Sequence, residues 1–280
     1  LTIRSTEYAL DNLEAHLLEE PPAGDWQTPV QPLAFQDQLQ LKDVHFAYPG
    51  HITPTLDQLN LTVQKGEAIG ISGPSGEGKS TLLYVLMQLL QPDRGAITVD
   101  GQSLTPDRQR AWQQQLGLVW HQNLVLSGTL RENVAFAEKP EEVDKNYLYQ
   151  ILQQAGLREL VDSWPQGPDT WISEEGRSLS EGQRQRIALA RALYRDAEVL
   201  LLDEATNALD EATEAIIMET LEAQKQAGKT LILVSHRPSS LRICNTCYQM
   251  QQGRLKLTNN AQAEERIHAE DVLTTNANLS

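Results

Sequence analysis

Gly73-Pro74-Ser75-Gly76-Glu77-Gly78-Lys79-Ser80-Thr81 follows the apolar run from Ala68 to Ser72 and leads into Leu82, Leu83, Val85, Leu86 and Leu89 at helical spacing. The segment fits G-x-x-x-x-G-K-[ST] and stands where that motif must stand, between a predicted strand and a helix predicted over 79–90. Gly73, Gly76 and Gly78 let the backbone curl so that its N–H groups point inward at phosphate oxygens, and the helix N-terminus adds positive potential. Gly73, Ser75, Gly76, Gly78, Lys79, Ser80 and Thr81 are the expected cradle. Lys79 would bridge the β- and γ-phosphates of a nucleotide, and the Ser80 hydroxyl would ligate Mg2+. Strand, phosphate loop and helix in this order place the chain in the α/β class.

Two further apolar runs end in polar pairs: Val199 to Leu202 in Asp203-Glu204, and Leu231 to Val234 in Ser235-His236. Such runs suit parallel strands buried on both faces, and their carboxyl ends are where open α/β sheets bind ligands. Successive side chains point different ways, so Asp203 could hold Mg2+ through water while Glu204 polarises the attacking water as general base. The same pair could also cap a helix and supply its first-turn acid. A neutral imidazole at His236 could accept from that water or donate to the γ-phosphate. A helix is expected around 211–226, between the two runs.

Upstream of the loop, Leu39, Leu41, Val44 and Phe46, then Leu59, Leu61 and Val63, alternate as half-buried antiparallel strands do. These mark an antiparallel β subdomain, while 123–195 reads as mostly helical. Thr6 to Glu20 carries Ala9, Leu10, Leu13, Leu17 and Leu18 at helical spacing and must stop by Pro21-Pro22. The expected organisation is a helix over 1–20, a Pro- and Gln-rich linker over 21–38, one domain over 39–256 with an inserted α-helical subdomain at about 123–190, and a tail over 257–280.

Lys plus Arg total 23 against 38 Asp plus Glu, a net charge of −15 that disfavours nucleic acid as a partner. No apolar run approaches the roughly 18–20 residues that span a bilayer, so this stretch is not expected to insert into lipid by itself. Cys244 and Cys247 are the only cysteines, and their C-x-x-C spacing lacks the second ligand pair of a structural zinc site. They read as ordinary reduced thiols.

Leu179-Ser-Glu-Gly-Gln183 closely resembles the LSGGQ signature of ABC ATPases, departing only at Glu181. As a plain structural reading, Ser180 also caps a helix over 183–194. The resemblance extends over about 36–256 and implies a P-loop NTPase (RecA-like) core carrying the antiparallel β subdomain and the inserted α-helical subdomain. Tyr48 matches the aromatic that stacks on adenine, Asn207-Ala-Leu-Asp210 resembles the D-loop, and His236 matches the switch histidine. It implies ATP as nucleotide and a head-to-tail pair of domains, a homodimer or a heterodimer. Each ATP would lie between the Lys79 loop of one copy and Ser180, Gly182 and Gln183 of the other.

Ser127-Gly-Thr-Leu-Arg-Glu-Asn133 and Thr170-Trp-Ile-Ser-Glu-Glu-Gly176 resemble exporter segments that lie close to a membrane domain. Thr6 to Glu20 resembles the cytoplasmic extension of an exporter's last transmembrane helix. The resemblance therefore implies an exporter engine at the cytoplasmic face of a membrane, with a membrane domain fused before Leu1. A stand-alone ATPase subunit, or an ABC ATPase acting on nucleic acid, are the alternatives. One position departs from the family: the place of the Q-loop glutamine is held by His121, with Gln122 beside it. Mg2+ prefers oxygen, so Gln122 could be the ligand if the loop shifts by one residue; His121 and Gln122 both remain candidates.

Overall fold

The computed structural model describes residues 33–120, 124–136, 139, 141–173, 179–207 and 209–258. The chain divides into units 1–33 and 34–280, and the elements below belong to the second. Its first half contains β1 (Gln38–Phe46), β2 (Leu56–Gln64), β3 (Ala68–Ser72), α1 (Lys79–Leu86), β4 (Arg94–Val99), β5 (Gln102–Ser103), α2 (Gln109–Gln113) and β6 (Leu116–Val119). There follow β7 (Gly128–Thr129), α3 (Leu130–Val134), α4 (Lys145–Gln154), α5 (Arg158–Asp162), β8 (Trp171–Ile172) and α6 (Glu181–Tyr194). The remainder is β9 (Val199–Asp203), α7 (Glu211–Gln226), β10 (Thr230–Val234), α8 (Pro238–Leu241), β11 (Thr246–Gln251) and β12 (Arg254–Thr258).

The strands form a four-stranded sheet, order β2-β1-β4-β5, a six-stranded sheet, order β12-β11-β3-β10-β9-β6, and the small β7-β8 pair. The first is antiparallel throughout, as the alternation in β1 and β2 requires. In the second, β11, β3, β10, β9 and β6 run parallel, and β12 joins as an antiparallel hairpin partner. Every residue of β9 and β10 is buried, which is why their sequences are continuous apolar runs rather than alternating ones. Because β3, β10 and β9 are neighbours and parallel, the phosphate loop, Ser235-His236 and Asp203-Glu204 all leave the same carboxyl edge.

Helix α1 buries Leu82, Leu83, Val85 and Leu86. It ends earlier than the expected Leu90, because Gln88 turns to φ 59° and the N–H groups of Leu89 and Leu90 both return to the Tyr84 carbonyl. The stretch expected to be helical contains α3 to α6 but also the β7-β8 pair. Helix α6 starts with a capping box: Ser180 Oγ accepts from Gln183 N, and Gln183 Oε1 accepts from Ser180 N. Strands β4, β5, β6, β11 and β12 have no counterpart in the sequence expectations, and β12 runs to Thr258, inside the stretch expected as tail. The expected helix over 6–20, most of the 21–38 linker, His121 and Gln122, residues 174–178 and the tail beyond 258 lie outside the described residues.

Candidate functional site

The loop after β3 is shaped by backbone that only glycine tolerates at two positions. Gly73 has φ 144°, and a Cβ there would stand 2.4 Å from the Met250 carbonyl oxygen; Gly78 has φ 104°, and a Cβ would stand 2.7 Å from that of Thr55. The end of β11 and the residue before β2 therefore lie directly against the loop. Lys79 opens α1, is 7% exposed, and donates from Nζ to the carbonyls of Gly73 at 2.7 Å and Pro74 at 2.8 Å. Burial pulls its pKa down while Glu204, Asp203 and Glu77 push it back up, and burial prevails. A desolvated ammonium ringed by carbonyls and carboxylates is suited to take phosphate oxygens as partners.

Ser80, the next residue, donates from Oγ to Asp203 Oδ2 at 3.3 Å, which joins α1 to the end of β9. Asp203 is 3% exposed, and Thr81 shares a hydrogen bond at 3.1 Å with the Tyr48 hydroxyl. Glu204 follows with φ 53°, its N–H bonded to Val234 O and its carbonyl accepting from Gln185 Nε2 at 2.9 Å. Its carboxylate is engaged at both oxygens: His236 Nε2 lies 3.2 Å from Oε1, and Asn207 Nδ2 donates to Oε2 at 2.8 Å.

The structure thus brings Lys79, Ser80, Thr81, Asp203, Glu204 and His236 together, with Gly73, Ser75, Gly76 and Gly78 forming the loop around them. Tyr48, the residue that matches the adenine-stacking aromatic, lies just past the end of β1 beside this cluster. It is buried, packed edge-on against Phe46 at 5.0 Å, with its hydroxyl on Thr81. Ser180, Gly182 and Gln183 sit at the start of α6 with the cap bonds closed within the chain. Gln122 lies outside the described residues; Trp120, two residues before it, packs at a tilt on Tyr84 of α1, ring centroids 4.9 Å apart.

Several neighbours of the site carried no signal that sequence reasoning used. Glu77 accepts a short hydrogen bond from Gln252 N and so ties the loop to the β11-β12 turn; its charge inside a glycine-rich loop was readable. Gln185 had no such signal, since its contact with the Glu204 carbonyl depends on how α6 packs. Tyr84 is pushed up to about 12 by burial, then by Tyr48 and Asp203.

Residues 56–207 match the family described as ABC transporter. The chain is 32% identical over 252 residues to ABC transporter B family member 29, chloroplastic, of Arabidopsis thaliana, covering 90% of this chain and 39% of that protein. It is 35% identical over 225 residues to the ATP-dependent lipid A-core flippase of Saccharophagus degradans, covering 80% of this chain and 38% of that protein. Among solved structures it is similar to a bacterial Atm1-family ABC exporter with ATP bound, at a TM-score of 0.79 and 28% identity, covering 95% of this chain and 46% of that one. The chain spans about two fifths of the length of these two curated relatives.

Proposed function

The chain belongs to the ABC transporter family, and on that premise we propose that it is the ATP-binding and ATP-hydrolysing domain of an exporter, working as a head-to-tail dimer at the cytoplasmic face of a membrane. The observation that carries this reading is the convergence of Lys79, Ser80, Asp203, Glu204 and His236 at one sheet edge beside a glycine-shaped loop.

The Lys79 ammonium exchanges its two loop carbonyls for β- and γ-phosphate oxygens, a stronger, charge-assisted pairing. Ser80 and Asp203 offer hard oxygen donors 3.3 Å apart, a fit for Mg2+, which when bound neutralises charge on the phosphates. Gln122 is a further candidate oxygen ligand. Glu204 takes the proton of the attacking water, and His236 and Asn207 hold the carboxylate in place for it. Tyr48 reaches the adenine only if its ring is uncovered, so base stacking requires local rearrangement at the β1 end. Ser180, Gly182 and Gln183 meet the nucleotide of the second copy, where the N-terminus of a helix favours an anion.

No helix among the described residues is long and apolar enough to cross a membrane. Support for a membrane partner, fused in sequence, comes from exposed Trp171 on one of the segments that resemble exporter contacts and from exposed Leu124 and Phe136, which flank the other. Arg191 bonds the Leu124 carbonyl at 3.2 Å and stands 5.8 Å over the Phe136 ring, so it holds two of these residues on one surface. The test is Glu204→Gln. Hydrolysis should fall by at least about a hundredfold while ATP binding persists and ATP-dependent dimers accumulate. Hydrolysis at the unsubstituted rate would overturn the assignment.

A further inference from the structure

The two residues that grip the Glu204 carboxylate come from different loops, and both loops lead to one ion pair. Asn207 lies in the loop after β9, and His236 in the loop after β10. Arg237, next to His236, donates from Nη1 to Glu214 Oε2 at 2.6 Å and from Nη2 to the Asn207 carbonyl at 3.0 Å. Its N–H is fixed in turn by Ser235 Oγ at 3.0 Å. Glu214 belongs to the first turn of α7 and is 9% exposed. Its other oxygen, Oε1, accepts from Ser239 Oγ at 2.8 Å and Ser240 Oγ at 3.2 Å, and Ser240 shares a bond with Thr206 at 2.8 Å. A buried carboxylate with this many donors is compensated and rigid, whereas removing one partner leaves a charge uncompensated.

We propose that Arg237, anchored on Glu214, is a positioning residue that sets the orientation of the Glu204 carboxylate by fixing both His236 and Asn207. The planar guanidinium suits this role, since its two terminal nitrogens point to different acceptors at once and a lysine ammonium offers no such fork. The inference rests on the reading of Glu204 as general base. It assigns no contact with nucleotide to Arg237 or Glu214.

The experiment measures kcat, ATP affinity and melting temperature for Arg237→Lys, Arg237→Ala and Glu214→Gln, each alone and combined with Glu204→Gln. A carboxylate displaced by about 1 Å should lower kcat by roughly ten- to a hundredfold in Arg237→Lys and Glu214→Gln, with ATP affinity within about twofold. In the Glu204→Gln background the same substitutions should change the residual rate by less than about twofold, because they act through the residue already removed. A general loss of stability would not cancel in that way. If Glu204→Gln abolishes turnover but Arg237→Lys and Glu214→Gln retain full kcat, or if their effects multiply with Glu204→Gln, the positioning role is overturned while the base survives. If Glu204→Gln itself retains hydrolysis, it is the underlying functional reading that fails. Arg237→Ala, the variant most exposed to misfolding, is judged only if its melting temperature matches that of Arg237→Lys.

Discussion

Glu204 holds a left-handed backbone at φ 53° although it has a side chain, a conformation that costs on the order of 1–2 kcal/mol. The bond its N–H donates to Val234 O and the bond its carbonyl accepts from Gln185 Nε2 offset that cost, and His236 and Asn207 hold the carboxylate near the end of β10. Its place at the carboxyl edge of a sheet was legible in sequence, because the carboxylate pair ends an apolar run of strand length. Its posture was not legible, since the partners come from α6 and from the loops after β9 and β10. Tyr48 shows the converse: a motif match named the residue, but its burial depends on the Thr81 hydroxyl and the Phe46 ring. Asp100 is another residue whose role lies in what the fold gathers around it, accepting from Gln36, Asp37 and Gln38 N at 2.7, 2.9 and 2.9 Å. Burial raises its pKa, but the three N–H bonds and Lys65 outweigh it, leaving the folded value below 3.8. A depressed folded value means the stabilisation is complete above the unfolded pKa and is lost as pH falls through the folded one. Asp100→Asn should therefore cost about 1 kcal/mol at pH 7 and progressively less below about pH 4, read by urea unfolding. Equal destabilisation at pH 7 and pH 3 would refute the charge as its source.

Elements were legible in proportion to how strongly one periodicity marked them. Strands β9 and β10 stood out because both faces are buried, and α7 fell over the expected 211–226. Strand β6 is only Leu-Gly-Leu-Val, too short to separate from a helical turn by period. In β11 the buried residues Cys247 and Met250 are spaced by three, so the alternation that identifies a strand is absent; pairing with β3 and β12 makes it one. Such strands depend on close backbone packing that composition does not reveal. At Gly117 of β6, an added Cβ would stand 2.8 Å from Leu200 Cδ2, 3.0 Å from Ala197 Cβ and 3.2 Å from Ala192 Cβ. The missing side chain lets the end of α6 lie on the sheet. Gly117→Val should destabilise by about 1–3 kcal/mol, a drop of roughly 2–9 °C in melting temperature. An unchanged melting temperature would mean that α6 can slide away from β6 without loss.

The phosphate-loop residues and the Ser180 helix start are placed on separate elements, with Lys79 opening α1 and Ser180 capping α6, and the proposed site is complete only when α6 comes from a second copy. Mixing two defective chains separates this arrangement from a site that is complete within one chain. Lys79→Ala removes the ammonium but leaves the helix start intact, and Ser180→Arg blocks the helix start but leaves the loop intact. Each homodimer then has two broken sites and should be inactive. A mixed dimer has one site with both defects and one with neither. With random pairing half the dimers are mixed, each with one sound site of two, so activity should return to about a quarter of that of the unsubstituted protein. If both defects fell in sites contained within single chains, every site in the mixture would still be broken and no activity would return. Titrating one variant into the other at constant total protein should give a maximum near equal amounts, whereas contamination by an active enzyme would give a straight line. A maximum at that ratio is the signature of a nucleotide shared between two copies of this chain.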